Sequence, residues 1–323
     1  MLLPELLSEL SIQKRPIGQI LWAQFINFNY NLPPKTEIVV EGWENLPTDR
    51  QVCLAMNHTD RYNYFPFQLK LYQKRNQFTA SWVKAKYYEN WTSRTFLLNT
   101  SNIPLASRGY IITSSFKKLL GRSPSKEEYR LVRDLMDGKR DITSEEFQEL
   151  SSPLREFLAP APHVKVTELE QSFAKLCKEV VRLSLQTFNK GLHIMVFPEG
   201  TRSKTLLKGH TGLAQMSQCM GADIVPIGCN GSDLVYRGDI PWAKGGRIVY
   251  RIGKPIVIDG PEIGNYRIEE KFIPFSREAQ SKYGQRFQSI TDVIMDRINE
   301  LLDSSYQRKG DGEKDNQDTN RFL

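Results

Sequence analysis

The alternation of short apolar runs with longer helical segments constrains the fold of this chain more than any other feature. Runs of apolar and β-branched residues occur at positions 38–40, 51–56, 78–83, 193–197, 224–228 and 247–258. Helical patterns lie between them at positions 65–74, 167–190 and 209–220, and Thr167 with Glu170 predicts a capping box in the second. Strands interleaved with helices predict an α/β fold with a mixed, mostly parallel sheet flanked by helices.

Two amphipathic patterns precede the first predicted strand, within residues 1–35. The apolar positions of the two patterns are Leu3, Leu6, Leu7 and Leu10, followed by Ile17, Ile20, Leu21, Trp22, Phe25 and Phe28. We predict a pair of N-terminal amphipathic helices. Two interpretations stay open: the pair lies in a lipid interface with its aromatic side down, or it covers the core of its own domain.

A helical insertion is predicted at about residues 121–162. Ser125 with Glu128 has the pattern of a capping box, and so does Thr143 with Glu146. Each pair therefore predicts the start of a short helix.

The α/β domain is predicted to span residues 36–305 and to close with a long helical pattern at positions 276–302. The residues that follow, 306–323, are mostly polar and charged. They predict a disordered tail.

The overall charge and the polarity of the N-terminal region limit the classes of partner. The net charge of +7 favours anionic partners, but no nucleic-acid-binding pattern is present, so no nucleic-acid partner is expected. The four cysteines lack metal-ligand spacing, and we expect no metal site. The uncharged stretch 16–34 holds too many amide side chains for a membrane span, and the N-terminus lacks the pattern of a secretory signal. A peripheral location at the cytoplasmic face of a membrane is therefore the expectation.

Four polar clusters stand next to predicted strands. Asn57 and His58 follow the second apolar run, and an imidazole at the carboxyl end of a strand can accept a proton near neutral pH. Arg108 lies in a short loop after positions 103–107. Residues 197–203 combine a carboxylate, a glycine and a guanidinium, and Pro226 interrupts a later apolar run. Taken singly, each cluster also fits a structural role: a core histidine, a solvated arginine, a polar turn and an edge or bulge proline.

In this order the four clusters resemble the sequence blocks of the glycerolipid acyltransferases, specifically the lysophosphatidic acid acyltransferase family. There the blocks read Asn-His-x4-Asp, a segment that ends in Arg, Phe-Pro-Glu-Gly-Thr-Arg-Ser, and a segment centred on Pro. Residues 197–203 match the third block at every position. The resemblance covers residues 37–108 and 190–258.

The resemblance implies a role for each matching residue. His58 is the expected general base, Arg108 and Arg202 the expected ligands of the acceptor's phosphate, and Glu199 would bind glycerol or orient a neighbour. The remaining expected binding residues are Gly200, Thr201, Pro226 on the acyl or thioester side, and Lys86, for which Lys84 is the competing assignment.

The resemblance also implies the reaction, which transfers a fatty acyl group from an acyl thioester to a lysophospholipid. Acyl-CoA or acyl carrier protein carries the donor group, lysophosphatidic acid is the default acceptor, and no metal or bound organic cofactor is expected. Another lysolipid or alcohol acceptor is an alternative. The added segment at 121–162 could cover the acyl tunnel, bind a carrier protein, touch a membrane, or form a surface excursion.

One position departs from the family pattern. Asn63 stands where the family has the aspartate that follows the histidine by five residues, so the partner of His58 carries no charge. Asp60 is the other candidate for that role, although it could equally cap the following helix. A non-catalytic or impaired lipid-binding relative is therefore the second hypothesis for this chain.

Overall fold

The computed structural model describes residue 7, residues 10–105 and residues 107–309. In this part of the chain seven strands form one sheet in the order β1-β7-β6-β2-β5-β3-β4. The strands are β1 Thr36–Glu41, β2 Cys53–Met56, β3 Thr79–Lys84, β4 Ile103–Leu105, β5 His193–Val196, β6 Ile224–Asn230 and β7 Gly246–Ile252.

The sheet is mixed and mostly parallel, as the sequence predicts. β6 and β7 pair antiparallel, and the other neighbours pair parallel. The central strand β2 is buried along its whole length, and its Cys53 lies opposite Ile194 of β5 and Ile224 of β6. Because β2, β3 and β5 run in the same direction, the loops that follow them meet at one edge of the sheet.

The last strand is shorter than its apolar run. β7 ends at Ile252, whereas the sequence predicts strand to position 258. Lys254 and Pro255 interrupt the ladder because proline has no N–H to donate, and Ile256 makes only an isolated bridge to Ile224. The three-residue strand β4 was not predicted, since its proline hides a strand pattern.

Helices cover the sheet and extend beyond it. They are α1 Ile17–Asn31, α2 Phe65–Arg75, α3 Trp91–Asn99, α4 Arg108–Leu120, α5 Lys126–Met136, α6 Ser144–Glu149, α7 Ser152–Leu158, α8 Pro162–Asn189, α9 Gly212–Met220, α10 Ser232–Val235 and α11 Arg277–Glu300. The prediction of a cap at Thr167 was wrong: α8 begins at Pro162, which suits the first helical position, and the Thr167 hydroxyl donates to the His163 carbonyl inside the helix.

The segment at 121–162 forms part of the hydrophobic core. Both predicted capping boxes are present, at Ser125 in front of α5 and at Thr143 in front of α6. The buried side chains of α4, α5, α7 and α8 belong to one apolar cluster, in which Phe116 stacks on Phe157 with ring centroids 3.8 Å apart. The segment is therefore an integral helical layer of the domain and not a surface excursion.

Helix α1 buries two amide side chains beside its apolar residues Ala23, Ile26 and Tyr30. Gln19 is 8% exposed and donates to the carbonyls of Thr79 and Thr100 at 2.5 and 2.7 Å, which fixes the helix beside β3. Asn29 is buried too, and its amide bonds both backbone groups of Ala243. The apolar stripe on the opposite side is exposed: Ile17, Leu21, Phe25 and Phe28. Of the two interpretations of the stripe, that it covers the core of its own domain does not fit these four exposed residues.

The two ends of the chain lie only partly within the described residues. Leu7 is helical and buried, while the rest of the first predicted helix up to residue 9 lies outside them. Tyr306 is buried and its hydroxyl donates to Asp233 at 2.6 Å, so ordered structure continues past position 305. Most of the predicted tail, residues 310–323, lies outside the described residues. No helix in the described ranges has both the length and the apolar character needed to cross a bilayer.

Candidate active site

Asn57 fixes the end of the central strand. Its side-chain oxygen accepts the Cys229 N–H at 2.7 Å, and its amide group donates to the Cys229 carbonyl at 3.0 Å. These two bonds tie the loop after β2 to β6. His58, the next residue in the chain, is therefore held at the carboxyl edge of the sheet.

The backbone of His58 is held by the loop at residues 197–203. The His58 N–H donates to a Glu199 carboxylate oxygen at 2.7 Å, and the Ser203 N–H donates to the His58 carbonyl at 2.9 Å. The imidazole stacks on Phe197 with ring centroids 4.2 Å apart. The backbone N–H and carbonyl of His58 and one face of its ring are thus held in place, so the imidazole has little freedom to move.

Glu199 is a positioning residue and does not line the cavity described below. It is 2% exposed, and its second oxygen accepts the Leu207 N–H at 2.9 Å. Burial raises the pKa of this carboxyl to about 7, against the two backbone bonds that lower it. Of the two roles that the resemblance implied, orienting a neighbour matches this geometry and contact with glycerol does not.

Asn63 fixes the tautomer of His58. Its side-chain oxygen lies 3.3 Å from His58 Nδ1, and its amide nitrogen donates to the Asn57 carbonyl at 2.8 Å. The second bond requires the oxygen to face the imidazole, so Nδ1 carries the proton and Nε2 keeps its lone pair. This is the arrangement that a general base needs.

Asp60 does not partner the imidazole. Its carboxylate accepts the Tyr62 N–H at 2.8 Å and the Thr59 hydroxyl at 3.1 Å, so it shapes the turn that leads into α2. Burial raises its pKa. Neither alternative for Asp60 fits the structure: it does not partner the imidazole, and α2 has Tyr64 at its N-cap position with no side-chain cap.

The surroundings of His58 keep the imidazole neutral. Burial lowers its pKa to about 4, and the positive charges of Arg202 and Lys84 lower it further, while the bond to Asn63 acts in the opposite direction. A neutral ring at pH 7 has its Nε2 lone pair available for a proton.

A cavity of about 560 Å³ opens beside His58. Its polar part carries four cationic side chains and a second imidazole: Arg61, Lys84, Lys86, Arg202 and His210. No aspartate or glutamate is among its described lining residues. This combination favours an anionic group next to the base.

The rest of the cavity wall is apolar. One side is formed by β3, β4, α8 and the start of α9, with Trp82, Leu105, Phe173, Leu176, Cys177, Val180, Leu213 and Phe275. The other side is formed by aromatic residues around α2 and α3, namely Tyr62, Tyr64, Phe65, Tyr87 and Phe96. An aliphatic chain can therefore be buried within reach of the base.

The structure brings most of the predicted binding residues to this cavity. Gly200, Thr201 and Arg202 line it, and Gly200 makes the turn with a φ of +61°. Both competing lysines, Lys84 and Lys86, line it as well.

Arg108 does not line the cavity and is 6% exposed. Its guanidinium stands 4.7 Å from the centre of the Phe173 ring, and its Nε lies 3.5 Å from a Glu170 oxygen. Burial lowers its pKa, and the Glu170 charge opposes that effect. The expectation of a phosphate contact at Arg108 therefore does not fit this geometry.

Pro226 does not line the cavity either. It is buried in the inner strand β6 opposite Ala55, and its carbonyl accepts the Gly253 N–H at 2.9 Å. The strand tolerates it because the ladder with β7 ends one residue away, at Ile227 and Ile252. The residue shapes the sheet and not the cavity wall.

Besides the apolar wall residues, the sequence analysis missed an arginine and a histidine of the cavity, Arg61 and His210. Arg61 stands three residues after His58, and its guanidinium lies 3.4 Å from Asp239. His210 reaches the cavity because its N–H donates to the Pro198 carbonyl at 2.8 Å, which folds the chain back on the 197–203 loop. Proximity to the two motifs was the only sequence signal for either residue.

Two comparisons with known proteins find similarity to acyltransferases. The family model described as Acyltransferase matches residues 142–230, a span that holds the 197–203 loop and begins after His58. A search of curated proteins finds no match. Among solved structures, the 1-acyl-sn-glycerophosphate (LPA) acyltransferase PlsC from Thermotoga maritima is similar, with 17% identity, 82% of this chain and 72% of that chain covered, and a TM-score of 0.38.

Proposed function

We propose that this chain is an acyltransferase that moves a fatty acyl group from an acyl thioester to the free hydroxyl of a lysophospholipid. One observation carries the proposal: a neutral imidazole with a fixed tautomer shares a single cavity with four cations and two apolar walls. In a reaction between a lipid with an anionic head group and a fatty acyl donor, the imidazole would act as the base, the cations would bind the head group, and the apolar walls would bind the acyl chains.

His58 is the general base of the proposed reaction. Its Nε2 takes the proton of the acceptor hydroxyl while that oxygen attacks the thioester carbonyl. The tetrahedral intermediate then collapses, the carbon–sulfur bond breaks, and the imidazolium returns the proton to the leaving thiolate. The Asn63 oxygen accepts from Nδ1 throughout and holds the ring in place.

The acceptor's phosphate is proposed to bind Arg202 and Lys84. Both side chains line the cavity together with His58, and their positive charges lower the pKa of its imidazole. A guanidinium can hold two phosphate oxygens, and an ammonium adds a compact charge. Lysophosphatidic acid, which yields phosphatidic acid, is therefore the preferred acceptor in this proposal.

The exposed stripe of α1 supports a location at a membrane surface. Leu21 is 66% exposed and Phe28 is 61% exposed on that stripe, and Phe25 lies 6.0 Å from Trp242, which extends the apolar surface. Trp22 joins the stripe to the cavity, because it packs edge-on against the cavity residues Phe65 and Phe96. A lipid acceptor could pass from this surface to the base without crossing water.

A lipid-binding protein without activity is the second candidate. The uncharged Asn63 favours it, because an amide cannot stabilise the imidazolium that forms during proton transfer as a carboxylate would. This candidate predicts binding of lysophosphatidic acid and of acyl thioesters without transfer.

The test is turnover of lysophosphatidic acid by purified protein, with long-chain acyl-CoA and acyl carrier protein offered separately as donors. The matched pair is His58→Ala and His163→Ala, since His163 is exposed on α8 away from the cavity. We expect transfer by the wild type and by His163→Ala, and a loss of at least about 10³-fold in His58→Ala. Transfer that survives in His58→Ala would overturn the assignment, and binding without transfer by the wild type would support the second candidate.

A further inference from the structure

Phe275 has a backbone conformation that is rare for its residue type. Its φ is +66°, in the left-handed region that favours glycine or asparagine. The Ser276 N–H bonds the Ile273 carbonyl at 3.3 Å, so residues 273–276 form a turn with Pro274 second and Phe275 third. This is a type II turn, whose third position normally holds glycine.

The turn is held in place by buried amide groups. The Phe275 N–H donates to the Gln215 side-chain oxygen at 2.6 Å, and Gln215 is fully buried in α9. The Gln215 amide nitrogen in turn donates to Thr211 and to Gln280, both at 3.2 Å. A strained residue persists only where its surroundings determine its conformation in this way, and such residues concentrate at functional sites.

The turn directs the phenyl ring to the apolar wall of the cavity. Phe275 is 5% exposed, lines the cavity, and packs edge-on against Trp82 with ring centroids 6.0 Å apart. A Cβ on Gly212 would lie 3.4 Å from the Phe275 ring and 3.8 Å from Trp82, so the glycine leaves the space between them open. Phe275, Trp82 and Gly212 therefore form one wall of the cavity.

We propose that Phe275 is a specificity-determining residue that closes the apolar end of the cavity and limits the length of the donor's acyl chain. The inference rests on the proposed function only in treating the cavity as the site of the donor chain. Each methylene buried in an apolar site strengthens binding about fourfold, and a chain that reaches a rigid wall gains nothing from a further methylene. A ring fixed by a strained turn and a buried amide network is such a wall.

Two substitutions move this wall in opposite directions. Phe275→Gly removes the ring and also suits the positive φ, so the turn keeps its conformation without strain. Gly212→Ala adds a methyl group at ordinary contact distance from Phe275 and Trp82, and narrows the cavity. Phe272→Ala is the matched control, because Phe272 packs against Tyr283 and Phe287 on another core cluster and is not part of the cavity wall.

The experiment measures binding of saturated acyl-CoA thioesters in two-carbon steps by calorimetry, without acceptor, to the wild type and the three variants. For the wild type we expect affinity to rise with chain length and then level off. Phe275→Gly should move that limit to a longer chain and raise affinity for it about tenfold, whereas Gly212→Ala should move it to a shorter chain and Phe272→Ala should leave it unchanged.

An unchanged length limit in Phe275→Gly, in protein that folds normally by circular dichroism, would overturn the inference. So would a wild type that binds none of the thioesters. Turnover with lysophosphatidic acid is measured separately on the same samples. Length-dependent binding without turnover would contradict the proposed reaction and leave the role of Phe275 standing.

Discussion

The Glu199 carboxylate accepts the backbone N–H of His58 at 2.7 Å, between two residues that are 141 positions apart in the sequence. Its other oxygen accepts the Leu207 N–H, so one buried carboxylate joins the loop after β2 to the loop after β5. The glutamate of the 197–203 loop thus acts on the histidine through the backbone. A change at Glu199 should therefore affect stability as well as activity.

The first prediction concerns the pH dependence contributed by Glu199. Burial raises its pKa from 4.5 to about 7, so between these values the folded protein binds a proton that the unfolded chain does not. By linkage, this group makes the free energy of unfolding fall as pH rises from about 4.5 to about 7, by about 3 kcal/mol in all. Urea unfolding at a series of pH values gives the free energy of unfolding of the wild type and of Glu199→Gln as a function of pH. The difference between these two curves measures the contribution of Glu199.

The comparison with Glu199→Gln is needed because the buried histidines change the free energy of unfolding with pH in the opposite direction. Burial lowers the pKa of His58, His193 and His210 from 6.5 to about 4. The unfolded chain binds more protons than the folded protein in that window, so the histidines make stability fall as pH drops from about 6.5 to about 4. Both proteins share this contribution. A difference curve that is flat between about pH 4.5 and about pH 7 would contradict the prediction for Glu199.

The second prediction is that Asn63→Asp increases activity and decreases stability. A carboxylate 3.3 Å from His58 Nδ1 would raise the pKa of the imidazole and stabilise its charged form during proton transfer, and we expect kcat to rise at least about tenfold. The same change removes the amide that donates to the Asn57 carbonyl, which should cost about 2 kcal/mol. Steady-state kinetics and urea unfolding measure the two effects.

Asn63→Ala is the matched variant for this test. It removes the tautomer control without adding charge, so its activity should fall below that of the wild type. Equal activity in all three proteins would show that position 63 does not act on His58.

The third prediction separates two arginines that the family resemblance treated alike. Arg108→Met leaves the Glu170 carboxylate without its partner, although Glu170 keeps some contact with water, and we expect about 2 kcal/mol of destabilisation with an unchanged KM for lysophosphatidic acid. Arg202 is exposed at the cavity, so Arg202→Met should raise that KM about tenfold with little change in Tm. Thermal melts and acceptor titrations on both variants test this, and a raised KM in Arg108→Met would contradict it.

The sheet and the polar edge of the site were predictable because their signals are local. A short apolar run in front of Asn57 and another in front of Phe197 place both polar loops at the ends of strands, and parallel strands bring those ends together. The capping box at Ser125 is also encoded within four residues, and it is present. Such features depend little on what packs against them.

The burial of Arg108 and the orientation of α1 were not predictable, because distant residues decide both. Arg108 is covered by α8, whose Phe173 and Glu170 lie more than sixty positions away. Gln19 is buried because its side-chain amide donates to two distant carbonyls, at Thr79 and Thr100, and no pattern within α1 shows these partners. Periodicity identifies the two sides of a helix but does not show which side the rest of the chain will cover.

The fourth prediction uses the orientation of α1. Gln19→Leu makes the buried side of the helix more apolar, yet it removes the hydrogen bonds to the Thr79 and Thr100 carbonyls, and we expect it to lower the free energy of unfolding by about 2 kcal/mol. Leu21→Gln makes the exposed stripe more polar, and since Leu21 is 66% exposed we expect a change within about 0.5 kcal/mol. Urea unfolding of both variants measures these effects.

The same pair tests the membrane surface that we propose. Leu21→Gln should weaken binding to vesicles that contain anionic lipid by about tenfold, because one leucine no longer enters the interface. Gln19→Leu, measured where it is still folded, should bind as the wild type does, since its side chain faces the core. Cosedimentation with vesicles gives both affinities. If Leu21→Gln binds as tightly as the wild type, the stripe on α1 does not contact lipid, and the exposed Ile240 and Trp242 are the next residues to replace.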